Sequence, residues 1–457
     1  MAPERNCGGQ LVNRYILSPC NCFLVQVSTT RGTTSRLQAT DAISYGEPSR
    51  DGRAVQELCL RVLTFTSLFP NAAQPNLGVF IYQRMAAFAA REGNSLEVIA
   101  PVPWAPSWVS GVRRSIFQRI PDAETIGSIH VHHPRYALLP KVSMPWHAWL
   151  MYRGSIGLAK RLHAERPFDC IDGHYIYPDG RASLLIGEAL RIPTVVSARG
   201  SDINLFPGFA LIRPQIRRTL LNAAGRIAVC DALKAVMRDV AKAARDIRVI
   251  GNGVDPARFF PSDRAEARRQ LGLPKEERVI VCVAALQPVK GHEVLFRALQ
   301  RLTKIFPSVQ LYLLGDGPLR SSLEDLSQSL QLGGQIHFAG ACPNEHLRPW
   351  YSAADVSCLV SSREGWPNVV LESLACGTPV VATRVWGTPE ILKSPDLGVL
   401  VQQDADSIAA GLEQAIQREW DRENLVAYAR SRDWSVVGQE VEAYFREVLS
   451  AWPRVES

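Results

Sequence analysis

Short runs of Val, Ile, Leu and Phe alternate along this chain with longer stretches whose apolar positions recur at helical spacing. Residues 60–66, 96–100, 168–172, 194–197, 226–230 and 247–250 predict buried strands by length and composition. A second series follows at 279–284, 309–314, 336–338, 356–359 and 380–382, with the last closing the set. Between the strands the pattern predicts helices over about 79–91, 292–304, and from the turn at 315–318 to about 330. Strands separated by helices predict parallel sheets covered on both faces. Past Asp433, WSVVGQEVEAYFREVLSAW predicts an amphipathic closing helix.

The two series are divided by GNGVD (251–255) and a Pro- and charge-rich stretch that ends near Pro274. The expected units are residues 58–255, residues 256–430 and a closing helix over 431–457, the first two each a doubly wound α/β domain. Such sheets bind ligands at the carboxyl ends of their strands. Residues 1–57 lack periodicity and are rich in Ser, Thr, Gly and Arg. They predict a disordered tail, or a start site placed too far upstream.

Composition bounds the function. A chain of 457 residues, 46% hydrophobic and 21% charged, suits a soluble protein of more than one domain. No run of about 18 apolar residues predicts a membrane span, and the N-terminal apolar patch makes a poor signal peptide. The ten cysteines are scattered, and Cys20 and Cys22 match no zinc spacing. Cys230, Cys282 and Cys358 lie in apolar runs as small buried hydrophobes, so a reducing, cytoplasmic compartment is expected.

Charge is unevenly spread. Residues 58–255 carry 24 Lys and Arg against 14 Asp and Glu, whereas residues 256–457 carry 21 against 25. A basic first half predicts an anionic partner there. No basic run is interleaved with aromatics as nucleic-acid binding would need, so an anionic membrane surface or lipid phosphate fits better. The stretches 108–120 and 149–167 mix Trp, Leu and Ile with Arg113, Arg114, Arg153, Lys160 and Arg161, a composition suited to peripheral membrane contact or an ordinary surface helix.

The most informative chemistry lies in SSREGWPNVVLESLACGTPVVATRVWGTPEIL, residues 361–392. Pro367 suits a first helical position, a helix is predicted over 368–375, and Gly377 with Pro379 stops it. Glu364 then lies in the entering loop and Glu372 inside the helix. The free N–H groups of the first turn, near Asn368 and Val369, form an anion site. A loop carboxylate for sugar hydroxyls, a helix start for phosphate and a helical carboxylate for ribose together suit a nucleotide sugar.

With this order of strand, E-G-x-P, helix, C-G-T-P-V-V strand and G-T-P-E, the chain resembles the retaining family-4 glycosyltransferases of GT-B fold. The resemblance runs from about residue 60 to 450 and is specific within 278–395. It implies two Rossmann-like domains facing across a cleft, with the last helix packing back across them. It also implies transfer of a sugar from a nucleoside-diphosphate donor to a glycan or lipid-linked acceptor with retention of configuration, and without metal or other cofactor. Surface polysaccharide biosynthesis is the implied pathway. A sugar-nucleotide epimerase of similar fold and a non-catalytic sugar-nucleotide or glycan-binding protein are the alternatives.

Residue by residue, the resemblance implies that Glu364 contacts the donor sugar, Glu372 the ribose and Lys290, in VKG, the diphosphate. Many relatives carry Arg where this chain has Ala285, and Arg363 and Arg384 are the nearby cations. Gly315 and Gly317 match the family's G-x-G-P turn, a motif that a tight turn explains equally well. Gly340 opens the segment expected to carry the base-binding backbone. In the first half, Gly78 belongs to a loop against donor or acceptor. His174, at a strand end, is expected to donate from a neutral imidazole to a sugar hydroxyl or phosphate. Arg199 and Asp202, in R-G-S-D, stand in an H-G-S-D segment of the family, where the Arg favours a phosphate or acidic-sugar acceptor or else pairs with Asp202. Asp404-Ala405-Asp406 has a D-x-D form but its surroundings suit a helix cap.

Overall fold

A computed structural model describes residues 59–104, 116–138, 143–244 and 246–453. The tail expected over 1–57 and the segment with Trp108, Arg113 and Arg114 lie outside the described residues.

The first half builds strands β1 (Arg61–Phe65), β2 (Ser95–Ile99), β3 (Val102–Trp104), β4 (Ala123–Ile126) and β5 (Ile129–His132). It continues with β6 (Arg135–Ala137), β7 (Cys170–His174), β8 (Thr194–Ala198), β9 (Gly225–Ala228) and β10 (Ile247–Val249). Eight of these form one sheet in the order β10-β9-β8-β7-β1-β2-β5-β4. It is parallel except where β4 runs antiparallel to β5. β3 and β6 pair separately. Every residue of β1, β7 and β8 is buried, as expected of central strands covered by helices on both faces.

The second half is a six-stranded, fully parallel sheet of order β13-β12-β11-β14-β15-β16. Its strands are β11 (Val279–Val283), β12 (Gln310–Leu314), β13 (Ile336–Gly340), β14 (Val356–Leu359), β15 (Val380–Thr383) and β16 (Gly398–Val401). β16 is an addition: the expected set closed at 382, and the four-residue edge run GVLV is too short to give a strong strand signal. The antiparallel β4–β5 pair is a further addition, because AETI and IHVH are only four residues each, carry polar side chains, and bury few positions.

In each sheet the strand order reverses once, between β1 and β7 in the first and between β11 and β14 in the second. Loops leaving neighbouring strands at such a point diverge to opposite faces and open a crevice. His174 ends β7, and Lys290 and Glu364 follow β11 and β14. Both reversal points therefore carry residues singled out by the motifs.

The closing helix, Trp434–Ala451, is capped by Asp433, whose Oδ1 accepts from the Ser435 N–H at 2.6 Å. It packs on the helix Val79–Ala89 of the first half, with Phe88 and Phe445 edge to face at 5.5 Å. Tyr444 Oη accepts from the Arg226 N–H at 2.8 Å. The two segments that connect the halves run side by side, joined by the Val254 N–H to the Arg432 carbonyl at 3.0 Å.

Candidate active site

In the second half, the helix Asn368–Ala375 begins one residue later than the Pro rule implies. Pro367 is extended and acts as the cap residue, and Asn368 is the first helical residue. Asn368 and Val369 occupy the open first turn. Lys290 lies in a short turn, Pro288–Lys290, held to the β14 exit by the Ser362 N–H donating to the Val289 carbonyl at 2.8 Å. This tie brings Lys290 Nζ to 2.7 Å from Glu364 Oε1, in a partly buried ion pair.

Glu372 is buried within its helix. Tyr351 Oη donates to Oε2 at 3.0 Å, and Asn344 Nδ2 donates to Oε1 at 3.3 Å. Burial pushes its carboxyl up to about 7, against these two hydrogen bonds and the Arg258 charge. Asn344 follows the Gly340–Pro343 loop that leaves β13, so Glu372 faces the expected base-binding segment. Gly315 and Gly317 sit where β12 leaves the sheet. A Cβ at Gly315 would lie 2.0 Å from the Ala284 carbonyl oxygen, so close backbone approach alone demands glycine there. Gly340 has φ +79 and faces open space. Ala285 is buried at the β11 exit, while Arg363 and Arg384 are exposed.

The first half contributes a buried polar cluster. Arg199 Nη2 and Nε lie 2.6 and 3.3 Å from His174 Nδ1, and Nη1 lies 3.1 Å from Asn252 Oδ1. A guanidinium only donates, so His174 Nδ1 is the accepting nitrogen and the imidazole proton sits on Nε2. Nε2 lies 2.8 Å from Asp172 Oδ2. Burial drives the His174 pKa down to about 4, with Arg199 and Arg84 adding to the effect and Asp172 opposing it. His174 is thus neutral, and it is completely buried with Nε2 close to the Asp172 carboxylate. Neither ring nitrogen faces open space in this arrangement, because the Arg199 guanidinium lies against Nδ1 and Asp172 lies beside Nε2.

Asp202 is enclosed in the same way. Its carboxylate is fully buried and accepts from the backbone N–H groups of Ile176 at 2.8 Å, Gly200 at 2.7 Å and Arg199 at 3.1 Å. It pairs with the Arg199 backbone rather than its guanidinium, and it shapes the loop. Gly78 takes φ +62 at the start of the helix Val79–Ala89, and a Cβ there would meet the Leu68 carbonyl oxygen at 2.1 Å. Its role is tight passage of the loop after β1.

The halves meet over this site. A Cβ on Gly365, next to Glu364, would lie 2.1 Å from the Arg199 carbonyl oxygen. Asn252 Nδ2 donates to Asn368 Oδ1 at 3.0 Å, joining Arg199 to the first turn of the donor-side helix. Glu390 crosses between the halves, accepting from the N–H groups of Asp231 at 2.9 Å and Ala232 at 3.2 Å at the start of the helix Asp231–Val240. Asp172, Asn252, Asn344 and Tyr351 were missed by sequence reasoning. Asp172 alone had a signal, two residues before His174 on the same face of a strand.

Asp404 caps the helix Ala405–Gln417, with Oδ1 accepting from the Ser407 N–H at 2.8 Å. Among the described residues no group of three or more His, Cys, Asp or Glu is placed to hold a metal.

Residues 263–432 match the family described as Glycosyl transferases group 1, and residues 82–258 match Glycosyltransferase Family 4. The chain is 27% identical over 359 residues to TuaC of Bacillus subtilis, named for teichuronic acid biosynthesis, covering 77% of this chain and 88% of that one. It is 29% identical over 339 residues to a D-inositol 3-phosphate glycosyltransferase of Acidothermus cellulolyticus, covering 68% of this chain and 74% of the relative. Among solved structures, HepE of Anabaena, in complex with UDP and glucose, superposes with a TM-score of 0.63 at 18% identity, covering 85% of this chain and all of HepE.

Proposed function

The chain belongs to the family-4 glycosyltransferases of GT-B fold, and from that premise we propose that it moves a sugar, with retention, from a nucleoside diphosphate to a glycan or lipid-linked acceptor. The observation that carries the reading is the Lys290–Glu364 pair at 2.7 Å, set where the strand order of the second sheet reverses. The nucleotide lies in the half from about 256 to 430, and the acceptor faces the half from about 58 to 255.

Departure of a diphosphate builds negative charge on its bridging oxygen, and that charge must be met as it develops. Lys290 and the free N–H groups at Asn368 and Val369 supply positive potential without a metal. Glu364 accepts hydrogen bonds from sugar hydroxyls and fixes the ring. Glu372 takes the ribose, and the backbone at Gly315, Gly317 and Gly340 lies along the nucleotide. HepE holds UDP, which supports UDP as the first nucleotide to test.

A cytoplasmic setting at an anionic membrane suits a lipid-linked acceptor in surface polysaccharide biosynthesis. Among the described residues no helix is long and apolar enough to cross a membrane. Trp146 and Trp149 are 59% and 53% exposed, and Leu211 is 68% exposed. Gln215 joins the two segments, donating to the carbonyls of Pro145 at 2.7 Å and Leu211 at 3.1 Å. Exposed Arg153, Lys160, Arg213, Arg217 and Arg218 lie on the same two segments. Interfacial aromatics among basic side chains suit contact with anionic lipid.

Product analysis tests the transfer. Incubation with a radiolabelled nucleotide sugar and a membrane lipid extract should yield a larger labelled glycan and free nucleotide. Recovery of only an isomerised nucleotide sugar would instead support the epimerase alternative.

A further inference from the structure

Arg199 is a buried cation without a carboxylate of its own. Its guanidinium meets neutral acceptors, His174 Nδ1 and Asn252 Oδ1, and lies 5.7 Å from the centre of the Phe80 ring. The nearest acid in sequence, Asp202, is occupied by backbone N–H groups. Desolvating a charge is costly unless an opposite charge answers it. Two of the five N–H bonds of this guanidinium are left over after the three contacts above.

The surroundings deepen the imbalance. Arg84 is also completely buried, donates to the Ile250 carbonyl at 3.4 Å, and leaves Nε and Nη2 without partners. Asp172 is the carboxylate whose field reaches both guanidinium groups. Burial pushes the Asp172 carboxyl up, but His174, Arg84 and Arg199 hold it below its ordinary value, so it is fully ionised. Asp172 is the one carboxylate common to both cations, with Asp202 acting on Arg199 and Glu440 on Arg84 besides, and Arg199, 7% exposed, is the member of the group nearest solvent.

Its location narrows what answers that charge. The Arg199 carbonyl packs against Gly365, one residue from Glu364, and its guanidinium reaches Asn368 through Asn252, so the residue adjoins the place proposed for the transferred sugar. We infer that Arg199 recognises an oxyanion, carboxylate or phosphate, carried by the acceptor beside its reacting hydroxyl, and that Asp172, His174 and Asn252 are positioning residues for its guanidinium. This rests on reading the cleft as a glycosyl-transfer site.

The positioning follows from the proton inventory. A guanidinium can only donate, so Nδ1 offers the lone pair that pins it and the imidazole proton sits on Nε2, 2.8 Å from Asp172 Oδ2. Asn252 holds the other edge and reaches Asn368 at the start of the donor-side helix. Occupation of that first turn by phosphate would therefore bear on Arg199 through two hydrogen bonds, and donor and acceptor binding should be coupled.

The test is calorimetric titration of the full chain with D-glucuronate, inorganic phosphate and neutral methyl glucoside at fixed ionic strength. Each is run with and without saturating UDP, GDP or ADP, whichever binds best. At least one anion should bind tenfold or more tightly than methyl glucoside, and the tighter of the two distinguishes carboxylate from phosphate. Arg199→Gln should erase that preference and Arg199→Lys should keep part of it. Asp172→Asn should reduce it about threefold with the neutral sugar unaffected, which a general loss of packing would not do. Equal binding of charged and neutral ligands by the unmodified protein overturns the inference, as does a preference that survives Arg199→Gln. Loss of nucleotide rather than anion affinity in Arg199→Gln also overturns it, because the guanidinium would then serve the donor phosphates. If Arg199→Gln shows no cooperative melting, the unmodified protein and Arg199→Lys decide the matter. Failure of every nucleotide to bind, with the anion preference intact, would count against the donor site alone.

Discussion

Lys290 and Glu364, 74 residues apart in sequence, place Nζ and Oε1 2.7 Å from each other at the exits of β11 and β14. The pair neutralises two charges that would otherwise face an open crevice. A nucleotide sugar offers each a new partner, phosphate for the ammonium and hydroxyls for the carboxylate. The exchange of one ion pair for two charge-assisted contacts keeps the cost of entry low.

Removing either partner should therefore damage transfer far more than folding. Lys290→Ala and Glu364→Ala are each expected to lower kcat by roughly 10²–10³-fold, the range for losing one group that answers developing charge. Steady-state turnover with circular dichroism as the folding control checks this. Near-normal turnover in either variant would remove that residue from the site.

Glu372 should make nucleotide binding depend on pH. Its buried carboxyl titrates at about 7, and the ionised form is the better acceptor for two ribose hydroxyls. A carboxyl whose folded pKa is raised favours folding at low pH, and this contribution is lost as pH rises through the folded value. Ribose contacts act in the opposite sense by favouring the ion. Nucleotide affinity should thus rise between pH 6 and 8 with proton release, and Glu372→Gln should flatten the profile. Titration calorimetry in buffers of differing ionisation enthalpy measures both.

Glu390 should contribute to the closed arrangement of the halves. It caps the first turn of Asp231–Val240 from across the cleft. Glu390→Ala is expected to cost about 1 kcal/mol, as for loss of a helix cap. Chemical denaturation should show the loss, with little change in nucleotide affinity.

The exposed pair Trp146 and Trp149 should govern lipid contact. Co-sedimentation with phosphatidylglycerol vesicles should exceed that with phosphatidylcholine and fall as salt rises. Trp146→Ser with Trp149→Ser should lower it several-fold while leaving the melting temperature unchanged. Equal sedimentation with both lipids would rule out an electrostatic contact.

How much was legible in the chain depended on how local the cause was. β14 and the helix Asn368–Ala375 could be placed from an apolar run, Pro367 and Gly377, because strand burial and helix ends are short-range effects. β16 and the β4–β5 pair escaped, since each strand has only four residues and little full burial at or beside a sheet edge. The neutral state of His174 was anticipated, but its direction was not. That direction depends on Arg199, 25 residues on, whose guanidinium lies against Nδ1. The partners of Glu372, Asn344 and Tyr351, likewise come from the segment and helix between β13 and β14, which only the packing of the helices brings close.

Thermal unfolding with UDP, GDP, ADP and their sugars tests the donor site most directly, because a ligand held by the folded state alone raises its melting temperature. One nucleoside diphosphate should raise the transition, its sugar conjugate should raise it further, and Glu364→Gln should lose only the second increment. Absence of any shift, or identical shifts in Lys290→Ala and Glu364→Gln, would contradict the assignment of the Lys290–Glu364 crevice to a nucleotide sugar.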